Sequence, residues 1–121
     1  MDRWEAQFEF WGSFGVPAYE QYSVPDADEL TYPYITYQAA SGLWDSTASL
    51  TASIWTRSTS WAQADALADM IADDLAHGGK GIRYDDGIIW LTAAEPFAQS
   101  MGDPDDDRIR RKVLQVRCNF L

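Results

Sequence analysis

Apolar and polar residues alternate along this chain with two different periods. From Ala64 to Leu75 the apolar residues are Ala64, Leu67, Ala68, Ile71 and Leu75, spaced i, i+3, i+4, i+7, i+11 as one helical face. Asp65, Asp69, Asp73 and Asp74 fall mostly on the other faces. Ser60, with Gln63 three residues later, fits a capping box in which each side chain satisfies an orphan backbone N–H. Gly78-Gly79 tolerates the positive φ that ends such a helix, and His77 is expected in its last turn. A shorter helix is expected over Asp2 to Ser13, where Trp4, Phe8, Trp11 and Phe14 recur at near-helical spacing. Asp2 is placed to cap it, Gly12, Gly15 and Pro17 close it, and Phe10 falls off its main stripe.

Elsewhere the period is two. Tyr34 to Ala39, after Pro33, is rich in β-formers. Ala48 to Thr56 puts Leu50, Ala52 and Ile54 on one face and Ser49, Thr51, Ser53 and Trp55 on the other. Gly81 to Asp85 and Gly87 to Thr92 flank Asp86-Gly87, a hairpin signal. Ala94 to Asp107, with Pro96, Gly102 and Pro104, is expected as a loop. Arg108 to Leu121 reads as a closing strand with Leu114, Val116, Cys118 and Phe120 on one face. The order is helix, strand, strand, helix, strand, strand, strand. Short turns between the strands imply antiparallel pairing, so the fold class is α+β with both helices packed on the sheet.

A length of 121 residues fits one domain over 1–121, and no internal repeat divides it. Nine Lys+Arg against nineteen Asp+Glu argue against sequence-independent binding of nucleic acid, which depends on cations displacing counterions. With one Cys there is no internal disulfide and no Cys-based zinc site. The acidic first fifteen residues do not form a signal peptide, and no run of 18 apolar residues predicts a membrane span. The cytosol, or a particle assembled there, is the expected compartment. Six Trp and six Tyr are many for so small a chain, which suits shared subunit interfaces.

Candidate chemistry is sparse. His77 is the single histidine; the negative end of the preceding helix is reason enough for a cation there. Cys118 lies on the apolar face of the closing strand and reads as a buried thiol. Gly78-Gly79-Lys80-Gly81 lacks phosphate-loop spacing and follows a helix rather than a strand. The unusual segment is Asp103-Pro104-Asp105-Asp106-Asp107-Arg108-Ile109-Arg110-Arg111-Lys112. It fails calcium-loop spacing and leaves two readings open, a solvated loop or a head-to-tail subunit contact. Residues 1–107 carry four bases and nineteen acids, −15, whereas 108–121 carry five bases and no acid, +5. That asymmetry is large enough to steer association.

Several phrases, in order, resemble the tail terminator (tail completion) proteins of long, non-contractile-tailed bacteriophages, particularly those of Gram-positive hosts. They are Gly15 to Tyr19 with Val24-Pro25, Pro33 to Tyr37, Leu50 to Trp61 (LTASIWTRSTSW), and Pro96 to Gln99 followed by Asp105 to Arg111. The resemblance implies a small α+β protein without catalytic residues, metal or cofactor. It implies a ring, usually a hexamer, that caps the completed tail tube, stops its polymerisation and meets the head connector or a neck protein. The ring would sit at the head-proximal end of the virion's tail after assembly in the host cytoplasm, with DNA passing through without specific binding. Carried onto this chain, it places subunit or tail-tube contacts at Trp55, Arg57, Trp61, Phe97, Asp105, Asp106, Asp107, Arg108, Arg110, Arg111 and Lys112. Reversing Arg110 and Arg111 to Glu is expected to impair assembly and spare the fold. Three other readings stand beside this one: a head-completion, neck or minor tube protein, a carboxylate-dependent hydrolase, and an acidic DNA mimic.

Overall fold

A computed structural model describes residues 1–103 and 106–121. In chain order the elements are α1 (Arg3–Gly12), β1 (Ala18–Glu20), a 3-10 turn (Ala27–Glu29), β2 (Tyr34–Tyr37), β3 (Thr47–Arg57), α2 (Ala62–Asp74), β4 (Lys80–Tyr84), β5 (Gly87–Gly102) and β6 (Ile109–Phe120). The strands form one six-stranded sheet in the order β1-β2-β3-β6-β5-β4. Only β1 and β2 run parallel; every other pair is antiparallel. The chain is α+β, as the two periods predict. The three-residue β1 lies within the connector after the first helix and extends the sheet at that edge.

Period-two alternation gives the sheet a dry face. Ile35, Ile54, Ile89, Leu114 and Val116 point to that side and are fully buried with Ile71 of α2. α2 lies across the sheet's middle, against β3, β6 and β5. α1 packs against both β1 and β4, the two opposite edges, so the sheet curls around one helix. Gln7, itself buried, pins that helix. Its amide donates to the Ala40 carbonyl (2.9 Å) and accepts from the Ala40 N–H (3.0 Å). Asp2 caps α1 through Oδ1, which accepts from the N–H groups of Trp4 (2.9 Å) and Glu5 (2.8 Å). Those bonds, that from Glu5 foremost, hold the Asp2 carboxyl below the usual carboxylate range.

Several local expectations change. The buried side of α1 carries Ala6, Gln7, Phe10 and Trp11, whereas Trp4 and Phe8 are half exposed (49% and 53%). Phe10 meets Trp11 and Phe14 edge to face (4.9 and 5.4 Å between centroids), and Trp11 stacks on Tyr37 at 6.1 Å. At the start of α2, Ser60 Oγ accepts from the Ala62 N–H and Ser58 Oγ from the Ser60 N–H, each at 3.1 Å. This relay replaces the reciprocal Ser60–Gln63 box, and Trp61, the N-cap residue, makes no side-chain capping bond. His77 lies beyond the end of α2, at φ 62, rather than in its last turn.

The expected loop from Ala94 is strand as far as Gly102. The β5–β6 ladder breaks between Ala93 and Ala98, where Pro96 has no N–H to donate, and then resumes with Ala98 opposite Leu114. Finally, Gly87 opens β5 directly after the Asp85-Asp86 turn, but its glycine is required by packing. A Cβ there would run into the Leu121 carbonyl, where Leu121 and Ile88 exchange backbone hydrogen bonds (2.8 and 3.0 Å).

The inward side of α1 yields a direct comparison. Phe10→Ala should destabilise the chain by about 3–5 kcal/mol, the range for deleting a buried Phe. Phe8→Ala should cost less than about 1 kcal/mol. Urea unfolding of the two variants checks the order; equal losses would mean that the periodic stripe, not Phe10, faces the core.

Candidate subunit interface

The segments singled out in the sequence meet at one corner. β3 ends and β6 begins there, with Trp55 opposite Arg111, Thr56 opposite Arg110, and Arg57 opposite Ile109. Alternation along β6 then divides its basic residues between the two faces. Arg110 and Lys112 turn inward beneath Trp61, which leads into α2. The Arg110 guanidinium lies 5.5 Å and the Lys112 ammonium 5.6 Å from the Trp61 ring centroid. Lys112 Nζ also pairs with Asp65 Oδ1 (2.5 Å) and donates to Ser100 Oγ (2.9 Å). Thr56 Oγ1 donates to the Arg110 carbonyl at 3.2 Å. Arg110 Nε is buried without a hydrogen-bond partner among the described residues.

Arg111 turns outward. Its guanidinium covers the Trp55 ring at 4.8 Å and its Nε donates to Ser53 Oγ at 3.0 Å. Trp55 in turn stacks on Tyr34 (6.1 Å, 12° between planes) and donates its indole N–H to Thr36 Oγ1 (3.0 Å). Tyr34 continues the row to Tyr32 (5.3 Å) and Tyr19 (6.2 Å). Burial, with Tyr32 and Tyr19 adding to it, pushes the Tyr34 hydroxyl up to about 12. A cation over an indole contributes about 0.5–2 kcal/mol depending on desolvation, so this row ties β1, β2, β3 and β6 together on the side away from the helices.

The remaining positions complete the corner. Arg57 pairs with Asp106 at 3.2 Å, and Asp106 Oδ1 also accepts from the Arg108 N–H (2.9 Å). Asp107 and Arg108 are exposed at the turn before β6. Phe97 is half-buried against the core and lines, with Asp65, Asp69 and Lys112, a cavity of about 380 Å³ beside α2. Asp105 lies outside the described residues. Most of the acid-then-base segment is therefore already engaged within its own chain. Reversing Arg110 and Arg111 would therefore also remove their intrachain contacts with Trp61 and Trp55. Tyr19, Tyr34, Thr36, Ser53 and Asp65 also belong to this constellation; the outward half of each strand's alternation is the sequence signal that places the first four, and Asp65 joins from the first turn of α2. Cys118 is buried, and burial pushes its thiol up to about 12, which suits a packing role.

No family model matches the sequence, and no curated protein matches it. A solved structure does, with a TM-score of 0.65 and 21% identity, over 92% of this chain and 83% of that one. It is a chain of the virion of a native gene transfer agent (GTA) particle. The likeness is one of fold, and it takes in nearly every element described above.

The raised thiol and phenol set a pH dependence. In the folded chain Cys118 and Tyr34 titrate near about 12, against ordinary values of 9.0 and 10.0. The unfolded chain loses these protons first, so unfolding releases protons and stability falls as pH rises. That stability is fully present below about pH 9 and is lost as the pH climbs toward about 12. Urea midpoints measured from about pH 8 to about pH 11 should decline, and Cys118→Ala should flatten the decline. A flat wild-type profile would contradict both assignments.

Proposed function

We propose that this chain is a structural protein of a phage-like virion, and within that class a tail terminator. On this reading, identical copies form a ring, most simply a hexamer, that seats on the completed tail tube, halts its growth and presents a surface to the head connector. The protein acts by assembly rather than catalysis, at the head-proximal end of the tail.

The observation that carries the virion reading is the fold shared with a chain of the gene transfer agent virion across 92% of this sequence. The terminator reading rests on the resembling phrases and on where they lie. Trp55, Arg57 and Trp61 come from one phrase, and Phe97, Asp106, Arg110 and Arg111 from another that Lys112 directly follows, yet they form one corner. We assign that corner, with exposed Asp107 and Arg108 at its tip, to contact with tube subunits or a neighbouring copy.

Particles made without this protein test the reading. A terminator predicts overlong tails, seen by negative-stain electron microscopy, and isolated protein that forms rings with a central hole alone or on meeting tube subunits. Heads without tails that leak DNA would instead assign it to the neck. Normal particles would remove it from assembly.

A further inference from the structure

The two faces of the sheet differ in charge as well as in polarity. Both helices cover one face and leave the other open. By register, the outward positions of the long strands are Thr47, Ser49, Thr51, Ser53, Trp55 and Arg57 on β3, and Ile109, Arg111, Val113, Gln115, Arg117 and Asn119 on β6. Trp90 and Thr92 of β5 and Arg83 of β4 continue that surface. Four of the chain's nine cations (Arg57, Arg83, Arg111, Arg117) point outward, and no carboxylate stands at an outward register position among the described residues. Glu95 falls in the irregular stretch between Ala93 and Ala98. In a chain with nineteen acids, this segregation gives the open face a sign opposite to that of the molecule.

One part of it is a compact exposed group. Trp90 stands opposite Gly81 and Asn119, Arg83 opposite Ile88, and Arg117 opposite Thr92. The two arginines therefore flank the indole diagonally, roughly 7–8 Å away on the neighbouring strands. Trp90 is 39% exposed, and its N–H is already fixed to the Gly78 carbonyl (2.9 Å). Arg83 and Arg117 are exposed and form no ion pair among the described residues. Trp and Arg are the residue types that dominate binding energy at protein interfaces, and a side chain held in place loses little freedom on docking.

The helical side of the same molecule offers the complement. A groove of about 490 Å³ between the end of α1 and α2 is lined by Ser13, Phe14, Met70, Asp73, Asp74 and Lys80. Lys80 occupies Asp74 at 2.9 Å. Met70 is 50% exposed and Asp73 stands in the groove, while Asp69, one helical turn before it, borders the neighbouring Phe97 cavity; both carboxylates are exposed without ion-pair partners among the described residues. Thioether and aromatic surface can receive an indole, and two free carboxylates match two free guanidinium groups.

We propose that the Arg83–Trp90–Arg117 group on the open sheet face of one copy docks in the α1–α2 groove of a second copy, against Met70 and Asp73, and reaches Asp69 on the exposed crest of α2 beside the groove. The contact joins two different patches, so it is head-to-tail and closes a ring when the rotation allows. It rests on the ring-forming reading above and supplies that reading with a contact separate from the Trp61 corner.

Charge exchange tests it. One variant carries Arg83→Asp and Arg117→Asp, the other Asp69→Arg and Asp73→Arg; circular dichroism and melting temperature should show both folded. Each alone should self-associate at least about tenfold more weakly than wild type in sedimentation velocity. Mixed one to one, the two should rebuild rings of even number, because every interface in an alternating ring then pairs opposite charges. Variants that assemble like wild type would overturn the contact and leave the ring reading standing. Loss without recovery in the mixture would overturn the pairing. A wild type that binds duplex DNA through Arg83 and Arg117, with self-association unchanged in the variant, would assign the face to nucleic acid instead. Wild-type protein that stays a single copy at all concentrations, with or without tube subunits, would remove both the contact and the reading beneath it.

Discussion

The insertion of α1 between the two edges of the sheet is the constraint on which the other features depend. A curled sheet with one dry face leaves a gap where its edges approach, and β1 and β4 bound that gap. Phe10, Trp11 and Phe14 fill it with aromatic surface, and Gln7 fixes the helix through two hydrogen bonds to a single backbone residue. The neutral amide satisfies a buried N–H and a buried carbonyl without burying a charge. With the gap filled, α2 need only cover the centre, and one whole face of the sheet is left free of helices.

Much of this was legible in the sequence, because regular burial writes a regular period. The α2 stripe from Ala64 to Leu75 and the alternation of β3 and β6 appear in the structure on the faces expected of them. α1 and its Asp2 cap are legible in the sequence, but its buried arc is only partly so, for a physical reason. It is buried over a narrow arc, between two edges, and large aromatics also stand on its exposed side, so counting Trp and Phe did not identify the core face. Phe10 is in the core, while Trp4 and Phe8 lie half in solvent. The second half of β5 is hidden in the sequence because Pro96 and Gly102 read as loop residues. In the structure Pro96 sits in a break of the ladder, and strand pairing resumes after it.

The candidate interface was legible in part. The sequence showed that residues 103–112 were unusual but not which cations would face which side. One-residue alternation decides that, sending Arg110 and Lys112 under Trp61 and Arg111 over Trp55. A run of charge that looks free in one dimension is thus largely absorbed by aromatic rings in three. The cations left open, Arg83 and Arg117, stand apart from that run in the sequence and become neighbours of one indole only through strand register.

The position of β6 has a consequence for the order of events during synthesis. It is translated after both strands that it joins, β3 and β5, and it pairs with each over most of its length. Until it emerges from the ribosome, the chain holds two incomplete half-sheets whose facing edges are unpaired. The β5–β6 pairing closes locally, with Gly102 opposite Arg110, whereas the β3–β6 pairing spans a long stretch of chain and closes slowly. The open face of the sheet is therefore incomplete until β6 is in place.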